Sequence, residues 1–291
     1  SSMTTGEGGG LLHAAALAHR TDVLVAALSS LSQIGVDLNQ QDGSGRTPLH
    51  VAVASGDPDL VAPLLKMKAS TETQANDGST PLRLAVSQGD LAITSMLLSE
   101  GADKNSLDTD AVPLIVLATE ISVPVALALV RAGADLNQPD SNGRTALEVA
   151  VSKGEHELCE LLLTKGARPT TRKDATGNTS LHVATLAKSE HLVRLLVRHK
   201  AELSEQNRRG QTPLILGAES GQSSVVELLL QLALCCSRSA ALLLGGRVGP
   251  EATTGRVSDL HTFCTSIISL SLAHMLLPSP MRTKCIVCMN Q

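Results

Sequence analysis

The chain has 291 residues, 43% of them hydrophobic, yet no Trp, no Tyr and a single Phe, Phe263, so any core must be built from Leu, Val, Ile and Ala. That composition argues against the aromatic-walled pockets common for flavins, nucleobases and sugars, and against the stacking platforms that grip single-stranded nucleic acid. Residues 1–231 hold 19 basic against 26 acidic side chains, and the last sixty hold five against two; the acidic bulk is a poor match for a phosphate backbone, and no nucleic-acid partner is expected.

The first ten residues carry no Lys or Arg, and the apolar run Leu11–Ala18 is short and contains His13. Residues 1–10 are read as a flexible leader rather than a signal peptide. Of six cysteines only Cys159 precedes residue 231, which is too lopsided for a secreted disulfide framework. A reducing compartment is expected, the cytoplasm first and the nucleus second. The sequon Asn178-Thr179-Ser180 falls inside a turn and is read as coincidence.

From Leu12 onward the chain is periodic. Aligned on Thr47-Pro48-Leu49-His50, equivalent leucines recur at Leu12, Leu49, Leu82, Leu114, Leu147, Leu181 and Leu214, with spacings of 37, 33, 32, 33, 34 and 33. Each period shares one grammar. A glycine two places before the Thr position (Gly45, Gly78, Gly143, Gly177, Gly210) suits a tight turn that needs positive φ. The Thr (Thr47, Thr80, Thr145, Thr179, Thr212) can cap the next helix, and Pro48, Pro81 and Pro213 stand at the first helical position, where a missing N–H costs nothing. After this short helix comes a second turn at Gly56, Gly89, Gly154 and Gly221. A second helix then ends in Leu97-Leu98, Leu162-Leu163, Leu195-Leu196 and Leu229-Leu230, closed by Gly101, Gly133 and Gly166.

Thr-Pro-Leu-His at a period of 33, followed by Leu-Leu and then Gly-Ala-Asp with Asn, resembles the ankyrin-repeat family over residues 11–231. The resemblance implies an all-α solenoid of about seven stacked helix–turn–helix units with β-hairpin fingers. Each unit exposes an apolar face that only its neighbours can cover. The units fall near 8–40, 41–74, 75–106, 107–139, 140–173, 174–206 and 207–231, followed by a non-repeat tail, 232–291.

Several departures carry predictions. The first unit has four extra residues, so its second helix should be longer. In the fourth, Asp110-Ala111-Val112-Pro113 replaces the Gly-x-Thr-Pro pattern, so the turn glycine and the Thr cap are lost. Pro63 lies inside a second helix, where it removes a hydrogen bond and should kink it, whereas Pro58 starts that helix harmlessly. Where Gly-Ala-Asp is due after Gln231 the chain reads Leu232-Ala233-Leu234-Cys235-Cys236; the tail is read as an alternative C-terminus joined by splicing or read-through.

No catalytic set stands out once the repeat residues are set aside, so no enzyme activity and no cofactor are expected. Gly43-Ser44-Gly45-Arg46-Thr47 lacks the lysine of a phosphate loop. His13, His50 and His182 occupy the position at which, by the resemblance, an imidazole bridges neighbouring turns. In the tail, Cys285-x-x-Cys288 with His261 and Cys264 could in principle hold zinc, and Leu260–Met281 is near bilayer length but broken by His, Pro, Ser and Thr. Neither a metal site nor membrane insertion is adopted.

What varies between repeats can carry specificity. The resemblance places the variable positions at the finger tips and on the exposed side of the first helix, along a concave groove. Those positions include Arg46, Asn76, Asp77, Asp108, Thr119, Glu120, Asn142, Arg144, Lys153, Arg208, Arg209 and Gln211. Acidic residues gather in units three and four and basic ones in units five to seven, which predicts a protein or peptide ligand basic at one end and acidic at the other. Asn39, Asn105 and Asn137, each two residues after an Asp and eight after a Leu, resemble the context in which an intracellular asparaginyl hydroxylase modifies such repeats. The expected function is a monomeric adaptor or scaffold module; the alternative is a recruiting domain of a larger enzyme such as a ubiquitin ligase or kinase.

Overall fold

The computed structural model describes residues 10–31, 37–106, 112–169 and 176–235. Residues 1–9 of the leader, Asp108, the turn at Asp110 and Ala111, and the candidate zinc and membrane segments of the tail lie outside the described residues. Within them are fourteen helices: α1 Leu11–Leu17, α2 Thr21–Leu31, α3 Pro48–Ala54, α4 Pro58–Lys66, α5 Pro81–Gln88, α6 Leu91–Ser99, α7 Leu114–Ile121, α8 Val123–Arg131, α9 Ala146–Lys153, α10 His156–Thr164, α11 Ser180–Leu186, α12 Glu190–Arg198, α13 Pro213–Glu219 and α14 Ser223–Cys235.

The chain divides into two compact units, one comprising residues up to Ala150 with Thr164–Ala167, the other Val151–Leu163 and residues from Arg168 onward. In the first, each odd helix packs on its own even partner, and like packs on like along the array: α1 on α3, α3 on α5, α5 on α7, and α2 on α4, α4 on α6, α6 on α8. In the second, α11 and α12 form one pair and α13 and α14 the next, with α11 on α13 and α12 on α14. Leu49, Leu60, Leu64, Leu82, Ile93, Leu97, Leu114 and Leu129 are fully buried in the first unit. Each contributes about 1.5–3 kcal/mol by leaving water. Helices of seven to nine residues are too short to persist alone, so these contacts between neighbours stabilise them.

The local signals act as the sequence predicts. Thr47, Thr80 and Thr212 cap α3, α5 and α13 through side chains that accept the N3 amide, ahead of a proline at the first helical position. α7 starts from Pro113 with no side-chain cap, the expected consequence of the lost Thr. α2 spans 11 residues against nine in α4, α6, α8, α10 and α12. α4 continues through Pro63 to Lys66, so the missing amide bond does not end it. α14 runs 13 residues, through Leu232 to Cys235, past the point where α6, α8 and α10 give way to Gly101, Gly133 and Gly166.

The fingers are tighter than strand hairpins: no strand occurs among the described residues. Each is closed by a pair of backbone bonds, Asp42 N–H to Arg46 O at 2.9 Å with Gly45 N–H to Asp42 O at 2.9 Å, repeated at Ala75–Ser79, Asp140–Arg144 and Asn207–Gln211. Five residues per finger leave room for a turn and no ladder. Neighbouring fingers join by one rung, Asn76 N–H to Ser44 O at 3.0 Å or Arg208 N–H to Thr176 O at 3.1 Å. Gly45 (φ +74°) and Gly177 (φ +81°) sit under these rungs, where a Cβ would lie 2.7 Å from the Asn76 nitrogen and 2.6 Å from the Arg208 nitrogen.

Candidate protein-interaction surface

The histidines hold neighbouring repeats together. The buried His50 receives the Thr47 amide at Nδ1 (3.1 Å), which places its proton on Nε2, and Nε2 donates to the Ser79 carbonyl at 3.1 Å. His182 repeats this with the Thr179 amide (3.2 Å) and Gln211 O (2.9 Å), and His13 Nε2 meets Arg46 O at 2.8 Å. The receiving carbonyl already accepts a finger amide in each case, so the imidazole uses its second lone pair. In repeat three Arg83 stands in this place and sends Nη1 to Val112 O at 2.9 Å. Burial lowers the pKa of His50, which favours the neutral ring that both bonds require.

A second set of struts comes from the asparagines. The Asn39 side-chain oxygen accepts the Ser70 amide at 2.7 Å and that of Asn105 accepts the Asp135 amide at 2.9 Å, while Asn137 Nδ2 reaches Gly166 O at 3.4 Å. Each of the three also donates its own amide to the Asp two residues earlier.

With these residues occupied inside, the variable positions are left to face solvent. In the first unit Asn76, Asp77, Glu120 and Asn142 are exposed and Arg46 and Arg144 half-buried; in the second Lys153, Arg208 and Arg209 are exposed and Gln211 half-buried. Thr119 departs from the expectation: it is fully buried and its hydroxyl bonds back to Ile115 O at 2.7 Å.

The charges are more engaged than a list of positions suggests. Arg46 pairs with Asp42 at 3.2 Å, and Arg144 with both Asp140 and Glu120 at 2.8 Å. Glu120 and Arg144, read from sequence as the facing ends of an acidic and a basic stretch, therefore meet each other. Asp77 carries its charge outward, and the Ser79 hydroxyl, 2.6 Å away, holds its carboxyl below the usual range. In the second unit Gln211 bonds the Glu219 carboxylate through its side chain, its carbonyl accepts His182, and its amide meets Asn207 Oδ1 at 3.0 Å. Arg208 and Arg209 use their backbone amides in the finger.

Sequence reasoning missed four backbone sites. His19, Lys68, Lys188 and Lys200 have φ between +51° and +66°, a region costly for residues with a Cβ. The signal was in the alignment: His19 and Lys188 share a column with Gly56, Gly89, Gly154 and Gly221, and Lys68 and Lys200 share one with Gly101, Gly133 and Gly166. Cys159 is buried, and burial pushes its thiol up to about 12. Among the described residues no group of three or more His, Cys, Asp or Glu could hold a metal ion, and no helix is long and apolar enough to cross a membrane.

A family model described as ankyrin repeats (three copies) matches residues 11–108, 107–173 and 170–238. Curated relatives include chicken inversin, 39% identical over 34% of this chain and 9% of that protein, and the Caenorhabditis elegans protein glp-1, 38% identical over 33% of this chain and 8% of that protein. The Arabidopsis thaliana E3 ubiquitin-protein ligase KEG is 26% identical over 74% of this chain and 16% of its own length. The chain thus spans only a small part of each of these relatives. Among solved structures, the ankyrin repeat domain of Bcl-3, a member of the IkappaB protein family, superposes with a TM-score of 0.66 at 27% identity, covering 77% of this chain and 99% of that one. The human ASB11 ankyrin repeat domain gives 0.58 at 26% identity, covering 77% and 98%. Repeat grammar, helix pairing and the family match agree over the same residues, and the chain belongs to the ankyrin-repeat family.

Proposed function

We propose that this chain, a member of a family of protein-interaction modules, is an adaptor or scaffold that binds a protein or peptide partner through its finger tips and the exposed side of its first helices. The observation that carries the reading is a division of labour among side chains. The recurring Thr, His and Leu are buried or bonded between repeats, while the positions that vary, Asn76, Asp77, Lys153, Arg208 and Arg209, face solvent. Two patches of unlike character result. In the first unit Asn76 and Asp77 present an amide and a carboxylate that favour a basic partner segment, and in the second Arg208 and Arg209 favour an acidic one.

The test is affinity capture with the full chain as bait, followed by binding measurements on the captured partner with Asp77→Lys and with Arg208→Glu/Arg209→Glu. Either change should weaken binding at least fivefold; affinities unchanged for both variants would rule these faces out.

The similarity to a ubiquitin-protein ligase over most of this chain supports a second reading, a recruiting domain within a larger enzyme. A catalytic domain encoded in the same transcript favours it over the stand-alone adaptor. We place the molecule in a reducing compartment, the cytoplasm first, since Cys159 is a free thiol in the core. Asn39, Asn105 and Asn137 are proposed sites of asparaginyl hydroxylation. Peptides carrying them should gain one oxygen in protein isolated from cells, and unmodified peptides at all three would exclude the idea.

A further inference from the structure

His156 and His191 lie far apart in the sequence and meet in the structure. Their ring centroids are 4.9 Å apart with the planes at 77°, and both residues are exposed. They belong to neighbouring repeats of the second unit: His156 is the first residue of α10 and His191 the second of α12. The bridging histidines His13, His50 and His182 are buried and spend ring nitrogens on the backbone of the turns. Among the described residues no hydrogen bond or ion pair engages His156 or His191, so their nitrogens are available to a ligand.

The unprotonated nitrogen of an imidazole is a donor suited to divalent transition metals. With metal–nitrogen bonds of about 2.1 Å, two imidazoles on one ion have centroids about 4.5 Å apart in neighbouring octahedral positions and about 5 Å apart in tetrahedral ones. The observed separation is already that of a chelating pair. To aim both nitrogens at one point, the exposed rings need only turn about χ2, whose energy profile is broad. The surrounding charge suits a cation as well. Helix N-termini repel one, but Glu155, Glu157 and Glu190 adjoin the two histidines in sequence, nearer than any Lys or Arg, and offset that repulsion.

We propose that His156 and His191 chelate one divalent metal ion of the zinc type, with water in the remaining positions. No third His, Cys, Asp or Glu completes the set among the described residues, so the site is weaker than a structural four-ligand centre and exchanges its ion. The ion ties α10 to α12. Because each repeat leans only on its neighbours, binding stabilises the joint between repeats five and six.

The test follows the ring proton signals of the two histidines by NMR in the full chain as Zn2+ is added, each signal being identified by its loss in His156→Gln or His191→Gln. Zinc taken up by the tail cysteines does not report at these rings. In the wild type both signals should shift along one binding curve. In either variant the remaining histidine should need at least tenfold more Zn2+, since losing a ligand costs no less than the roughly 10–100-fold of losing a group that only orients one. Amide exchange in α10 and α12 should slow with Zn2+ in the wild type and not in the variants. Both residues are exposed, so the variants fold. Signals unmoved in millimolar Zn2+ overturn the proposal and leave the pair an edge-to-face contact. A histidine that binds equally well after its neighbour is replaced overturns it too, by showing two separate ligands.

Discussion

Replacing His50 by Leu isolates what the bridging histidine contributes. Leucine keeps most of the bulk in a fully buried position but removes both ring nitrogens. The Thr47 amide loses its acceptor, which for a buried donor costs about 1–3 kcal/mol. The Ser79 carbonyl keeps its bond from the Ala75 amide and loses only the second, worth about 0.5–1.5 kcal/mol. Together the substitution should cost about 2–4 kcal/mol. With neither Trp nor Tyr in the chain, urea unfolding is followed by far-ultraviolet circular dichroism. Hydrogen exchange should show the loss of protection centred on α3 and α5, with α11–α14 little changed, because repeat arrays respond locally. The pH dependence supplies a second readout. Burial depresses the folded-state pKa of His50, so the unfolded chain takes up the proton first. The corresponding stability is complete above the unfolded value of about 6.5 and is lost as pH falls through the folded value. The wild type should weaken as pH falls below about 6.5, and the Leu variant should show a shallower slope there. A cost below about 0.5 kcal/mol, or an identical slope, would refute the assignment of both bonds.

Three further substitutions test other features of the fold. Thr94 is completely buried and its hydroxyl has no partner among the described residues, so Thr94→Val should stabilise by about 1–2 kcal/mol; a destabilised variant in urea would show that the hydroxyl is in fact satisfied. Lys200→Gly removes a side chain from φ +66° and should gain about 0.5–1 kcal/mol, the left-handed penalty less the added chain entropy of glycine; a lower melting temperature would contradict this. Gly45→Ala combines positive φ with a collision against the Asn76 backbone and should cost at least about 2 kcal/mol, with exchange increasing at the fingers of repeats two and three.

The sequence revealed most of the scaffold because the fold is built from local rules stated seven times over. A Thr cap, a proline at the first helical position or a turn glycine acts within four residues, and the period lines these up. The same columns held the exceptions: Arg83 standing in for a bridging histidine, and the lysines and histidine that take glycine's conformation. Contacts that follow neither the local grammar nor the period were hidden. Glu120 and Arg144 lie 24 residues apart, on the end of a helix and a finger of the next repeat, and their pairing depends on how two repeats are set against each other. Thr119 read as exposed because its column is variable, yet a short polar side chain that satisfies itself on Ile115 O can be buried in a helix. In the fingers, the family pattern suggested strands where five residues suffice only for a turn.

The condition of Cys159 makes the molecule a reporter of its own breathing. With its thiol pushed up to about 12 and shut away from solvent, almost none is the reactive thiolate at neutral pH. Alkylating reagents and oxidants can therefore modify it only during moments when the fifth repeat comes apart. The rate at which the Cys159 peptide is labelled, followed by mass spectrometry apart from the tail cysteines, measures how often that single repeat opens while the rest of the protein stays folded.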